Sequence, residues 1–134
     1  MEPLHIINVY PETISDGFGV RYAIYLAGCT HHCRGCHNPG SWSPVAGEPL
    51  TELILSRIVA EINDNPILDG ITISGGDPFY NPFALLALLR RLKEENRLVL
   101  PRLYLRVPVK RRDPPSLSRL YRHSCRWSVR PIAL

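Results

Sequence analysis

Residues 70–96 read GITISGGDPFYNPFALLALLRRLKEEN, and this stretch decides the fold class. Gly70-Ile71-Thr72-Ile73-Ser74 is short and β-branched, so it predicts a strand. Gly75-Gly76-Asp77-Pro78 follows at once and breaks it. Asn81 then supplies an N-cap side chain, and Pro82 suits the first helical position. The helix is expected to run through FALLALLRRLKEE to about Asn96. A strand that turns directly into a helix is half of a parallel βα unit.

The same alternation extends in both directions. Upstream, Thr51 to Asn63 places Ile54, Ile58 and Ile62 at i, i+4 and i+8, with Leu55 and Val59 beside them, which predicts a helix. Before it, residues 37–50 hold Pro39, Gly40, Pro44, Gly47 and Pro49 and read as a connecting loop. Val20 to Ala27, VRYAIYLA, is the clearest strand, and Leu4 to Tyr10 is a further one. Downstream, Leu98 to Val107 reads as a strand interrupted by Pro101. The expected fold is α/β with parallel βα units.

The strand ending at Ala27 runs into GCTHHCRGCHN, where Cys29, Cys33 and Cys36 are spaced C-x3-C-x2-C. Three thiolates this close together can surround one metal centre. Thiolates suit both iron–sulfur clusters and zinc. A zinc site would need completion by His31, His32, His37 or the distant Cys125, because there is no second cysteine pair. Three cysteines would leave one iron of a four-iron cluster open, and an open position is what a catalytic metal centre needs. Gly75-Gly76-Asp77 sits at the carboxyl end of a strand, where βα architectures bind ligands. Read alone, it is equally a tight turn.

Composition bounds these readings. The chain has 134 residues, enough for one domain with its own core, and 45% are apolar. No apolar stretch reaches the roughly 18 residues of a membrane span. Met1-Glu2-Pro3-Leu4-His5 does not resemble a signal peptide, so the expected compartment is a reducing cytoplasm in which thiols persist. Residues 1–101 carry a net charge of −4 and residues 102–134 a net +8. The overall +4 therefore describes the tail and is no sign of a nucleic-acid partner. Tyr104, Tyr121 and Trp127 lie among its arginines, but no folded platform is expected to present them for stacking.

The order of motifs is itself informative. Asp16-Gly17-Phe18-Gly19-Val20-Arg21, then the strand, then GCTHHCRGCHNPGSW, then GEPL, then ISGGDP resembles the radical S-adenosylmethionine family. Within it, the resemblance is to the activating proteins of anaerobic ribonucleoside-triphosphate reductase, over roughly residues 5–105. It implies an incomplete parallel (βα) barrel. It further implies that Cys29, Cys33 and Cys36 ligate a [4Fe–4S] cluster whose fourth iron binds S-adenosylmethionine. Ser74, Gly75, Gly76 and Asp77 would hold the methionyl end, and backbone near Gly35 would lie by the adenine. Reductive cleavage would give a 5′-deoxyadenosyl radical that makes a glycyl radical on the reductase, with a flavodoxin-like protein or another low-potential donor supplying the electron. No catalytic side chain is required, because the cofactor carries the radical. An activator of a formate-lyase-type enzyme and a non-catalytic zinc module are the alternatives.

Beyond about residue 105 the resemblance stops. Residues 106–134 are rich in proline and arginine, without the Thr-Gly-Tyr-like and Asp-Gly turns the family would put there. Codons chosen for the closing run YRHSCRWSVRPIAL, read one nucleotide later, give Tyr-Thr-Asp-Ile-Leu-Ala-Asp-Gly-Leu-Tyr-Asp-Pro-Leu-Leu, which contains an Asp-Gly turn after an apolar strand. The expected division is a core over 1–105 and a basic tail over 106–134 that lacks regular order or is read out of frame.

Overall fold

The computed structural model describes residues 3–32, 36, 38–96, 103–110 and 125–132; within the last two segments, only the side chain of Leu105 is described. In chain order the elements are β1 (His5–Thr13), β2 (Arg21–Leu26), β3 (Glu48–Pro49), α1 (Glu52–Asp64), β4 (Gly70–Gly75), α2 (Pro82–Glu95), β5 (Leu103–Lys110) and β6 (Cys125–Ile132). The strands form one sheet in the order β3-β1-β2-β4-β5-β6. β2, β4 and β5 run parallel, as the βα alternation requires. β1 pairs antiparallel with β2 and β3, and β6 pairs antiparallel with β5, so the sheet is mixed. The boundary expected at residue 105 falls inside β5.

The two parallel crossovers follow from local signals. α1 starts where Thr51 Oγ1 accepts the Ile54 N–H at 3.3 Å, and it buries Leu55, Ile58, Val59 and Ile62. α2 starts where Asn81 Oδ1 accepts the Ala84 N–H at 3.2 Å, with Pro82 opening the first turn, and it buries Leu85, Leu88, Leu89 and Leu92. Each set follows the i, i+3, i+4, i+7 pattern of a single helical face.

These faces pack on one side of the sheet. The core joins them to Ile6, Tyr22, Ile24, Leu26, Ile71, Ile73 and Leu105. Tyr22, Ile24 and Leu26 alternate along β2 and lie in register with Ile71, Ile73 and Gly75 of β4. Arg91 of α2 reaches Glu52 of α1 through both terminal guanidinium nitrogens, at 2.7 and 3.0 Å. Both helices therefore cover the same face.

Over β2 and β4 the opposite face is largely buried and mostly polar. By strand parity it carries Arg21, Ala23 and Tyr25 from β2 and Thr72 and Ser74 from β4. Arg21 is fully buried. It donates to Thr72 Oγ1 at 2.7 Å, to the Ile71 carbonyl at 2.8 Å and to the Phe18 carbonyl at 3.1 Å. Thr72 Oγ1 donates to the Asp16 carbonyl at 2.8 Å, and the Tyr25 hydroxyl donates to Asp16 Oδ1 at 2.7 Å. The Asp16 and Arg21 of the lead-in motif are thus built into the sheet's second face. Among the described residues, no helix is long and apolar enough to cross a membrane.

Candidate metal centre

The site is built where β2 and β4 end. Leu26 is paired with Gly75, so the two chains leave the sheet level with each other. Ala27-Gly28-Cys29 then emerges beside Gly75-Gly76-Asp77. The Gly76 N–H donates to the Leu26 carbonyl at 2.8 Å, and the Asp77 N–H donates to the Gly28 carbonyl at 2.7 Å. The turn Pro39–Ser41 closes the third side. The Gly28 N–H donates to the Ser41 carbonyl at 2.8 Å, and the Cys29 N–H to the Trp42 carbonyl at 3.1 Å.

Two glycines are dictated by this crowding. A Cβ on Gly76 would collide with the carbonyl oxygens of Gly28 and Ser41. Gly75 has φ +105°, and a Cβ there would collide with the Leu26 backbone. The glycine pair is therefore what lets the strands end side by side.

Cys29 and Cys36 are both free; Cys29 is buried and Cys36 half-buried. Burial pushes the Cys29 thiol up, the His31 N–H on its sulfur pulls it down, and the Asp77 charge pushes it up again, with smaller effects from the His32 N–H and Cys36. The net shift is upward, so the thiol form is favoured until a metal ion displaces the proton. The Asn38 N–H donates to Cys36 Sγ at 3.4 Å. Peptide N–H groups directed at cysteine sulfurs are the environment that tunes iron–sulfur centres. Trp42 adds a buried indole N–H that has no partner among the described residues, and its ring lies 4.4 Å from that of His32. Free thiols, amide donors and an unpaired indole N–H fit a thiolate-ligated cluster.

Of the residues singled out from the sequence, Cys29, Cys36, Ser74, Gly75, Gly76 and Asp77 lie at this end of the sheet, with Ser74 buried. Cys33 and Gly35 lie outside the described residues. Among the described residues no three His, Cys, Asp or Glu side chains converge as a metal site. A groove of about 300 Å³ between α1 and α2, lined by Leu4, Leu50, Leu55, Ala84 and Leu88, is on the helix side of the sheet and holds none of these residues.

Residues 15–100 match the family described as a 4Fe-4S single cluster domain. The chain belongs to that family. An iron–sulfur cluster is accordingly its cofactor class, and the cysteine loop lies within the matched region. The chain is also similar to proteins named anaerobic ribonucleoside-triphosphate reductase-activating protein. The one from Pasteurella multocida is 39% identical over 95 residues, which cover 69% of this chain and 60% of that protein. The one from Escherichia coli K12 is 37% identical over 89 residues, covering 64% and 58%. That of Enterobacteria phage T4 is 32% identical over 73 residues, covering 54% and 46%. The chain spans about three fifths of the length of the bacterial relatives it matches.

His31, by its place in the sequence a candidate zinc ligand or a residue flanking the cluster loop, makes a contact that the sequence did not predict. His31 Nε2 lies 2.9 Å from Asp77 Oδ2. The two residues are 46 positions apart, and no spacing rule connects them. Ser41 and Trp42 close the cysteine motif in the sequence, but that their carbonyls brace Gly28 and Cys29 is visible only in the structure.

Proposed function

We propose that this chain is the cluster-bearing part of an enzyme that activates anaerobic ribonucleoside-triphosphate reductase by making a glycyl radical on it. The observation that carries the reading is the level ending of β2 and β4, which sets Cys29 beside Gly75-Gly76-Asp77. The names of the relatives supply the reductase as partner. The fold reading is an incomplete (βα) barrel. Its support is that both helices lie on one side of the sheet while Arg21, Ala23, Thr72 and Ser74 on the other side are buried too, as residues facing a barrel interior would be.

In this reading Cys29, Cys33 and Cys36 hold three irons of the cluster. When bound and reduced, the cluster would supply the one-electron reduction of the sulfonium of S-adenosylmethionine, the source of the 5′-deoxyadenosyl radical that the activation of a reductase glycine requires. The protein's part is to bind, orient and exclude water. The Asp77 carboxylate would take the methionyl ammonium, the Gly75-Gly76 backbone would let that group approach closely, Ser74 supports the turn from β4, and Gly35 is assigned to the adenine side by the family resemblance alone. The electron comes from a low-potential donor of the flavodoxin type, in a reducing cytoplasm that keeps the thiols free.

The tail belongs to this proposal too. Residues 106–134 are read as translated out of frame, which leaves the chain short of the family's later elements. Sequencing the coding DNA checks this: one extra or missing nucleotide near codons 101–107 is expected, and an uninterrupted frame in independent isolates contradicts it. The activity is tested by mixing the anaerobically reconstituted chain, a reductant and S-adenosylmethionine with the reductase. The expected outcome is a glycyl-radical doublet in the electron paramagnetic resonance spectrum of the reductase. A doublet on a formate-lyase-type enzyme instead would reassign the partner.

A further inference from the structure

The contact between His31 and Asp77 adds a side-chain link between two segments that backbone hydrogen bonds also join, Gly76 N–H to Leu26 and Asp77 N–H to Gly28. An ionised carboxylate only accepts hydrogen bonds, so His31 Nε2 carries the proton in this contact. Asp77 is engaged on its other side as well. Its Oδ1 accepts the Phe79 N–H at 3.0 Å and caps the turn Pro78–Tyr80. Its own N–H is fixed on the Gly28 carbonyl. Each carboxylate oxygen therefore has one directed donor, and the plane of the group is set. A carboxylate has about four lone-pair sites, so two are taken and two stay available to a further donor. The side chains of His31 and Asp77 are 22% and 15% exposed, so the pair is largely shielded from competing water. Asp77 is also close enough for its charge to act on the Cys29 sulfur.

We propose that His31 is a positioning residue: by donating Nε2–H to Asp77 Oδ2 it ties the cysteine loop to the turn after β4 and holds the carboxylate in the orientation that receives the ammonium of S-adenosylmethionine. This rests on the reading of Asp77 given above. His31 touches neither iron nor substrate in this role. It acts through Asp77, as groups that orient ligating residues do elsewhere, where their removal typically costs 10–100-fold in affinity.

The test uses the full chain, reconstituted anaerobically with iron and sulfide, in wild-type, H31A, H31Q, D77N and H31A/D77N forms. Iron content is measured beside the dissociation constant for S-adenosylmethionine in equilibrium dialysis without reductant. H31A is expected to keep its iron and bind S-adenosylmethionine roughly 10-fold more weakly. H31Q, whose amide can still donate to Asp77, is expected to recover most of that loss. The double variant is expected to bind no more weakly than D77N, because His31 works through Asp77. Wild-type affinity in H31A overturns the proposal. Loss of iron in both H31A and H31Q also overturns it, since that would make His31 part of the cluster's own support. If D77N itself binds as wild type, the reading of Asp77 fails and takes this proposal with it. If D77N is weakened but H31A is not, only the role of His31 fails.

Discussion

The two ends of the β2–β4 pair are made of the same strands and are built for opposite purposes. At the amino ends, Arg21 is fully buried and donates to Thr72 and to the Ile71 and Phe18 carbonyls, while Thr72 hands a hydrogen bond on to Asp16. At the carboxyl ends, two thiols are free, one indole N–H has no partner among the described residues, and the backbone turns through glycines that no other residue can replace without collision. The first end is satisfied by the protein alone. The second is arranged around something the protein does not supply. Parallel βα sheets commonly divide stability and chemistry between their two ends in this way.

Substitutions at the two ends should therefore separate into different phenotypes. The largest effect is expected at the cysteine end: C29A should reduce 5′-deoxyadenosine formation to background while the apo-protein still unfolds cooperatively in denaturant. At the other end, R21M should cost roughly 2–4 kcal/mol, because it strands the buried acceptors on Thr72 and Ile71 and frees the part-buried Phe18 carbonyl. Urea unfolding of the apo-protein reads this, and a variant as stable as wild type would erase the contrast between the ends.

G76A sharpens the comparison because it touches backbone rather than a ligand. The new Cβ must displace the carbonyls of Gly28 and Ser41, costing about 1–3 kcal/mol as an overpacked site. Weaker S-adenosylmethionine binding should accompany that loss. Y22F, on the helix side, removes a 2.6 Å hydrogen bond to Glu61 and should cost about 1 kcal/mol. Burial, with the Glu61 carboxylate beside it, holds the Tyr22 hydroxyl well above the ordinary tyrosine range. A raised folded-state value gives stability that is complete below the unfolded value of about 10 and is lost as pH climbs past it. Wild type should therefore lose stability above about pH 10 more steeply than Y22F. The smallest effect is expected for E52Q: its ion pair with Arg91 is on the exposed rim between the helices, so the melting temperature should not move measurably.

What was legible in the sequence was local. Asn81-Pro82 announced α2, Thr51 and the isoleucine spacing announced α1, and the short β-branched runs announced β2 and β4. Cys29 and Gly75-Gly76-Asp77 could both be assigned to strand ends because strand and turn signals adjoin them. Which strands are neighbours is set by non-local pairing, so the level ending of β2 and β4 had to come from the structure. The same holds for β1, whose antiparallel pairing makes the sheet mixed, and for β6, which pairs with β5 from within a stretch that carries no strand period. Arg21 was legible only as a member of the lead-in motif. Its burial follows only from the acceptors that Phe18, Ile71 and Thr72 bring to it. His31 is a loop residue by spacing and a partner of Asp77 by geometry.

The central claim is that the carboxyl ends of β2 and β4 form one centre for a four-iron cluster and S-adenosylmethionine. Its most direct test is to reconstitute the full chain with iron and sulfide under anoxic conditions, reduce it in the presence of S-adenosylmethionine and quantify bound iron and 5′-deoxyadenosine together. The account predicts a brown protein carrying about four irons per chain that forms 5′-deoxyadenosine, with both readings lost in C29A. A colourless protein that retains one tightly bound zinc and forms no 5′-deoxyadenosine would contradict it.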